Sequence, residues 1–160
     1  MKNKNYFLKI ENFKFKNAID CLQSYDGVKF KFSPWIEDIV KKNIYIFDKK
    51  LLPIKLVRIS LSELGFKKPQ ELKEVYASFK KYGLELVTPD IAIYSRLLYL
   101  DQPKGEWLRF ATPFNSMVDS DGVPHLPKLG KALNTFFIET YWSYPEAIFH
   151  PHNDFVLISR

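Results

Sequence analysis

The order in which two hydrophobic periodicities follow one another limits the fold of this chain more than any other feature. Between residues 33 and 100, apolar residues recur at the three- and four-residue spacing of a helix face. After Gly105 the pattern changes to short segments rich in aromatic and β-branched residues, at 106–112, 134–142 and 155–159. This order predicts an α+β fold in which helices from the middle of the chain pack on a mostly antiparallel C-terminal sheet.

Start and stop signals predict three longer helices in the middle region and a short one that begins at Ser60, where Glu63 completes a capping box, and stops at Gly65. Ser33-Pro34 supplies a capping hydroxyl and a proline suited to the first helical turn. A second helix is predicted over 69–82, and Gly83 follows it where a left-handed cap is expected. Thr88-Pro89 begins the third helix in the same way as the first.

The remaining segments are predicted as strands or loops. Residues 1–32 indicate an extended, strand-like segment because phenylalanines alternate with lysines, and 54–59 is typical of a strand. Pro124 and Pro127 restrict the segment between the two aromatic strands to an edge strand or a loop, since proline lacks the N–H that a ladder needs. We therefore expect one domain over 1–160, mainly helical from 33 to 100 and mainly β from 101 onwards.

Composition excludes several classes of protein. The chain has 160 residues, 46% of them hydrophobic, which is enough for one core without a disulfide or a structural metal. A lone cysteine, Cys21, cannot form an internal bridge and is predicted to be a buried thiol. No apolar run reaches the roughly 18 residues of a membrane span, and lysines interrupt the N-terminus where a signal peptide needs an apolar stretch. We expect a cytoplasmic protein without membrane contact.

Positive charge is concentrated in the first half of the chain. Residues 1–80 carry 17 basic and nine acidic residues, a net charge of +8, whereas residues 81–160 carry seven and nine, a net charge of −2. This asymmetry favours an anionic partner, either nucleic acid or an acidic protein, although a lysine-rich composition with a solvated face explains it as well. The predicted anion contacts are Lys14, Lys16, Lys29, Lys31, Lys41 and Lys42.

Two polar segments are candidates for a surface site. The first is the loop that leads into the first aromatic strand, with Asp101, Gln102, Lys104, Glu106 and Trp107. The second is Asp119-Ser120-Asp121-Gly122, which begins like a calcium loop but has Gly130 where such a loop needs a glutamate. Asp-Gly is a strong turn signal, so a β-turn or hairpin is predicted at 119–122.

Three histidines and nearby acids suggest a metal site as a weaker alternative. His150, His152 and Asp154 occupy alternate positions, which point to the same side of an extended segment. His125 or Asp121 would complete such a site only if the fold brought them close. Apart from this cluster, the chain has no glycine-rich phosphate loop, no nucleophile elbow and no paired-cysteine zinc spacing, so no cofactor is predicted.

Aromatic residues make up 16% of the chain, and Tyr141, Trp142 and Tyr144 lie together at the end of one predicted strand. Buried aromatics fill cores, whereas exposed aromatics beside lysines stack on the bases of single-stranded nucleic acid. Both roles are open at this point.

Residues from about 28 to the end resemble a group of short proteins from small-genome candidate-phylum bacteria. The most specific matching segments are 101–108 (DQPKGEWL) and 119–122 (DSDG). No activity is established for that group, so the resemblance implies no catalytic residue and only points to 101–107 and 119–122 as a possible shared surface. Similar proteins tend to have Asn-Pro-Asp-Asp where this chain has 150–153 (HPHN), which counts against a family-wide histidine metal site.

The sequence therefore predicts a binding or regulatory module without enzymatic activity, whose basic N-terminal half contacts nucleic acid or an acidic protein. One alternative is a metal-assisted hydrolase using Asp119, Asp121, His125, His150, His152 and Asp154. Another is a partner-neutralising protein of the immunity or antitoxin kind, which would carry one large exposed apolar patch. The oligomeric state is left open.

Overall fold

A computed structural model describes residues 6–160 of the chain. Its four helices are α1 (Ala18–Gln23), α2 (Pro34–Lys42), α3 (Leu72–Ser78) and α4 (Pro89–Leu98). Its strands are β1 (Tyr6–Ile10), β2 (Phe30–Phe32), β3 (Ile54–Ser60), β4 (Gln70–Glu71), β5 (Leu84–Glu85), β6 (Trp107–Phe110), β7 (His125–Ala132), β8 (Thr135–Trp142), β9 (Ile148–Phe149) and β10 (Asp154–Ser159). Within this range, no helix combines the length and apolar character needed to cross a membrane.

Most of the strands form one large sheet. Its order is β1-β3-β10-β6-β7-β8-β2, and β5 pairs with β10 off this path. The pairs β10–β6 and β2–β8 are parallel, and all other pairs described in the sheet are antiparallel. β4 and β9 form a separate two-stranded sheet. The mixed α/β composition and the mostly antiparallel sheet are therefore as predicted.

The sheet is not confined to the C-terminal part of the chain. β1, β2, β3 and β5 all precede residue 100, and β3 lies between β1 and β10 inside the sheet. Within the segment predicted to be extended, Ala18–Gln23 is helical because Asn17 caps it by accepting the N–H of Asp20. The prediction of helices packed on a purely C-terminal sheet thus needs correction, because strands from both halves of the chain share one sheet.

Two apolar clusters lie on opposite faces of the sheet. On the face that we call the α4 side, residues of α1, α2 and α4 pack against Leu108, Phe110, Leu129 and Ile138. On the opposite face, the α3 side, Leu72 and Val75 of α3 pack with residues of β3 and β10. Burial of both faces of β10 explains why this strand is an apolar run, whereas β3 also carries an exposed Lys55 and a half-buried Arg58.

Local start signals located α2 and α4, whereas residues 61–65 form turns and not the predicted short helix, although Ser60 and Glu63 make the hydrogen bonds of a capping box. Ser33 accepts the N–H of Ile36 at 3.3 Å and caps α2, as predicted. The helix predicted over 69–82 is shorter, because residues 70 and 71 pair with β9 and residues 79–82 form a tighter 3-10 turn. Gly83 ends this turn with φ of +69°, the left-handed geometry expected there.

Pro127 lies in β7, an interior strand of the sheet, whereas the sequence predicts an edge strand or a loop for this segment. Ala132 pairs with Thr135 across a two-residue turn, so alternate residues of β7 turn their backbone nitrogens away from β8. Pro127 belongs to that set, and the pairing of β7 with β6 already ends at Lys128. The missing N–H therefore removes no bond between strands.

Arg96 connects α4 with the loop after it and with the β7–β8 hairpin. Its side chain is fully buried and donates to the carbonyls of Tyr99 (2.6 Å), Gly130 (3.1 Å) and Phe137 (3.2 Å) and to Oε1 of Gln102 (2.6 Å). Burial among these neutral acceptors lowers the pKa of Arg96 to about 10. The guanidinium group thus holds the helix, the loop and the hairpin at one point.

Replacing Arg96 by methionine should lower the free energy of unfolding by about 3 kcal/mol, because its buried oxygen acceptors would lose their donor. Urea denaturation at neutral pH measures this. The matched control is Arg160→Met, since Arg160 pairs with Glu85 in an exposed position and should contribute less than about 0.5 kcal/mol. Equal losses in the two variants would contradict a structural role for Arg96.

Candidate functional site

Four neighbouring strands present a row of cationic and aromatic side chains on the α3 side of the sheet. The register places Lys31 beside Phe137, Phe137 beside Gly130, and Gly130 beside Trp107. Because side chains alternate along a strand, these residues share one face. In the next positions on the same face lie Arg109 and Lys128, and then Tyr141. We call this set, Lys31, Trp107, Arg109, Lys128, Phe137 and Tyr141, the open sheet face.

Within residues 6–160 no helix covers the open sheet face, but Phe149 of β9 lies over part of it, with its ring centre 5.7 Å from Cζ of Arg109. α3 packs with residues of β3 and β10, whereas α2 and α4 contact β7 and β8 from the other side. Trp107 is 38% exposed and Phe137 is half-buried, and neither belongs to an apolar cluster. Trp107 lies against Gly130 so closely that a Cβ at position 130 would overlap its ring. Glycine at this position therefore allows the indole ring to lie on the sheet.

The cations of this face contact aromatic rings. Nζ of Lys128 lies 4.6 Å from the ring centre of Trp107 and 5.6 Å from that of Tyr141. Cζ of Arg109 lies 5.3 Å from the ring centre of Tyr141, and its buried Nε has no hydrogen-bond partner among the described residues. Partial burial lowers the pKa of both cations. Glu139 is the acidic residue opposite Lys128. Asp154 acts on Arg109 through its charge, so the face holds three cations between aromatic rings, with an acid near two of them.

The six lysines predicted as anion contacts do not share one surface. Lys31 belongs to the open sheet face, and Lys29 lies next to β2 with its Nζ 5.5 Å from the ring centre of Phe30. Lys14 and Lys16 flank Phe15, which packs on the α4 side, whereas Lys31 is on the α3 side.

The two remaining predicted lysines are neutralised. Lys41 pairs with Glu37 at 2.5 Å and Lys42 pairs with Asp38 at 3.2 Å, both along α2. The prediction of one basic face from the first half of the chain therefore needs correction. Two cations share a face with Lys31, namely Arg109 and Lys128. Both come from the second half of the chain and were missed, although the alternation from Trp107 to Arg109 was a readable signal.

Of the predicted loop residues, one contributes to the open sheet face. Gln102 is buried, not exposed, and bonds Arg96 and the carbonyl of Leu129. Glu106 accepts from Arg58 at 3.0 Å and from the hydroxyl of Tyr99 at 2.8 Å. Asp101 and Lys104 are exposed in the loop. Trp107, the first residue of β6, is the member of this set that lies on the open sheet face.

The predicted metal ligands are not brought together. Asp154 is paired with Arg58. The rings of His150 and His152 stack at 5.9 Å, and both side chains are exposed. His125 contacts Asp119 instead. Among residues 6–160, no group of three or more histidine, cysteine, aspartate or glutamate side chains is arranged to hold a metal ion.

Asp119 and His125 form a buried pair at the start of β7. The predicted turn is present: Gly122 has φ of +80°, and Val118 pairs with Pro124 across it. Oδ1 of Asp119 accepts the N–H groups of residues 121 and 123, and its Oδ2 lies 2.8 Å from Nε2 of His125. Nδ1 of His125 lies 2.9 Å from Oγ1 of Thr140. Asp121, by contrast, is exposed.

Residues of α2 close this pair on one side. The ring of Trp35 stacks on His125 with the centres 5.4 Å apart. Asp38 accepts the hydroxyl of Ser120 at 2.9 Å, which ties α2 to the turn. The hydrogen bond from His125, together with those from the backbone N–H groups of the turn, holds the pKa of Asp119 below its usual value. The side chains of Asp119 and His125 are each 2% exposed.

The lowered pKa of Asp119 predicts a pH-dependent contribution to stability. A carboxyl group whose pKa is lower in the folded state than in the unfolded state stabilises the fold at pH values above its unfolded pKa of about 3.9. This stabilisation is lost as the pH falls through the pKa of the folded state. The stability difference between wild type and Asp119→Asn should therefore be largest above about pH 5 and shrink below about pH 4. Urea denaturation across this range measures it.

The control variant is Asp121→Asn, which removes the same charge from the exposed end of the same turn. Its stability difference from wild type should be small throughout. An equally steep pH profile for both variants would mean that the loss of a negative charge from the turn, and not the loss of the His125 contact, causes the pH dependence of stability.

Comparison of the chain with protein-family models, with curated proteins and with solved structures finds no match. Function is therefore inferred from two arrangements of side chains. The open sheet face offers cations between aromatic rings, and the Asp119–His125 pair offers an oriented imidazole beside a hydroxyl.

Proposed function

We propose that this protein is a binding module that contacts single-stranded nucleic acid through the open sheet face. The observation that carries this proposal is the row Lys31, Phe137, Gly130 and Trp107 across four adjacent strands, with Arg109 and Lys128 beside it. The proposal keeps the anionic partner predicted from the sequence and moves its site to the sheet.

The chemistry of the face suits a single strand. Bases stack on aromatic side chains with about 1–3 kcal/mol each, and any base has a ring face to offer. Trp107 and Phe137 lie two strands apart, roughly 10 Å, so they would contact different bases. In a duplex those base faces are hidden by their neighbours, which favours an unpaired strand over a double helix.

The charge of the face suits a phosphate backbone. Lys31, Arg109 and Lys128 are three cations on one face, and the two acids that act on them are Glu139, near Lys128, and Asp154, near Arg109. An acidic protein could pair with the cations of this face, but it would offer fewer flat groups that stack on its aromatic rings.

The other two predicted functions have less support. A metal-assisted hydrolase needs ligands in one place, and those proposed lie in separate contacts. An immunity-like protein would need one continuous apolar surface; of the three most exposed apolar side chains, Val28 and Leu133 lie near the start of β8, whereas Ile44 follows α2.

Binding to a fluorescent single-stranded oligonucleotide of about 15 nucleotides, followed by fluorescence anisotropy, tests the proposal. Three phosphate contacts predict a logarithmic salt slope of about −2, so affinity should fall about 20-fold between about 50 mM and about 200 mM salt. The double variant Arg109→Gln, Lys128→Gln should weaken binding and flatten this slope. Trp107→Ala should weaken binding by about 5- to 150-fold.

The matched control is Lys49→Gln with Lys50→Gln, which removes two exposed lysines outside the face. It should leave most of the affinity intact. Absence of binding at low salt, a preference for duplex, or an equal loss in the control would each overturn the proposal. Circular dichroism of every variant shows that the fold is kept.

A further inference from the structure

We propose that the hydroxyl of Thr140 is a nucleophile that accepts an acyl group from carboxylic esters with a flat, apolar leaving group. The site is the cleft lined by Trp35, His125, Thr140, Tyr141 and Trp142, which shares Tyr141 but no other residue with the open sheet face. This inference rests on no part of the nucleic-acid proposal.

The cleft has the size and lining of a small-ligand site. Its volume is about 280 Å³, near the lower end of the range for small-molecule pockets. Trp35 is 48% exposed and Trp142 is 63% exposed, so two indole rings border the opening. Flat apolar groups are the chemistry that such rings bind.

The three polar side chains follow the order acid, imidazole, hydroxyl. The Asp119 carboxylate is fixed by two backbone N–H groups and lies 2.8 Å from Nε2 of His125. Because a carboxylate only accepts, Nε2 of the neutral imidazole carries the proton and Nδ1 is left as an acceptor. Nδ1 lies 2.9 Å from Oγ1 of Thr140 and can take its proton. This is the arrangement that activates a hydroxyl nucleophile.

Thr140 also has a backbone donor suited to a developing oxyanion. Ile138 is the last residue of β8 that pairs with β2, and its carbonyl accepts the N–H of Ser33 at 3.1 Å. Alternate residues of β8, including Ile138 and Thr140, turn their backbone groups towards β2. The N–H of Thr140 therefore points beyond the last pair of the β2–β8 ladder, Phe32 and Ile138. An amide on the nucleophilic residue itself is a usual member of an oxyanion hole.

The step balances without a metal or a redox partner. Oγ1 of Thr140 bonds to the ester carbonyl carbon while Nδ1 of His125 takes the hydroxyl proton. That proton passes to the leaving oxygen as the ester C–O bond breaks, and the alcohol departs. Water, losing a proton to His125, then attacks the acyl group on Thr140 and releases the carboxylic acid, which restores the hydroxyl.

A purely structural role would satisfy the same hydrogen bonds without any reaction. The difference is that Thr140 is half-buried and borders an open cleft, so a reagent can reach its hydroxyl, while Asp119 and His125 are shielded. Covalent labelling therefore separates the two roles, since a structural threonine stays unmodified.

The test is incubation of the full chain with p-nitrophenyl acetate, followed by intact-protein and peptide mass spectrometry. We expect release of nitrophenol and one acetyl group on Thr140. Thr140→Ser should keep the labelling and Thr140→Val should abolish it. Asp119→Asn should slow the labelling at least about 100-fold, because the imidazole tautomer is no longer fixed.

The matched control is Thr135→Val on the same strand, whose hydroxyl bonds the carbonyl of Val28 at 3.2 Å, outside the cleft; it should be labelled like wild type. Folded wild-type protein without acetyl-Thr140, or with acetyl groups on lysines only, would overturn the proposal even if Thr140→Val does not fold. Oligonucleotide binding should be unchanged by Thr140→Val, so the two proposals fail independently.

Discussion

The buried guanidinium of Arg96 is the contact on which the C-terminal half of the structure depends. Its acceptors come from the end of α4, from the loop at Gln102 and from both strands of the β7–β8 hairpin. A buried cation that makes no hydrogen bond to a carboxylate is costly, and the four acceptors of Arg96 offset that cost only when the segments that carry them are in place together; its Nε has no partner among the described residues. The hairpin that carries both proposed sites is therefore ordered from its α4 side.

Gly130 links this buried contact to the surface. Its carbonyl accepts from Arg96, and its lack of a Cβ lets the ring of Trp107 lie against the opposite face of the strand. A side chain at position 130 would push the indole away and disturb the backbone that Arg96 holds. One glycine thus takes part in the buried Arg96 contact and in the open sheet face, which places a surface aromatic against the backbone that Arg96 holds.

Contacts that are close in sequence could be predicted, and those set by strand order could not. The Ser33 cap and Gly83 were readable because they act within one turn of chain. The position of Lys31 beside Phe137 depends on a parallel pairing across about a hundred residues, for which alternation alone gives no register. For the same reason the histidines and acids of the predicted metal set looked like one cluster in sequence, whereas Arg58 takes Asp154 and Asp119 takes His125.

Alternation along β8 separates the two proposed activities. Phe137 and Tyr141 point to the open sheet face, whereas Thr140 and Trp142 point to the side on which α2 packs. Neighbouring residues of one strand therefore serve different surfaces, and a one-residue slip of register would exchange them. The two-residue turn between Ala132 and Thr135 and the Arg96 contacts with Gly130 and Phe137 prevent such a slip, because both hold the hairpin in one register. The rigidity of the hairpin is thus what would keep a nucleic-acid surface and a reactive hydroxyl apart on a strand of eight residues.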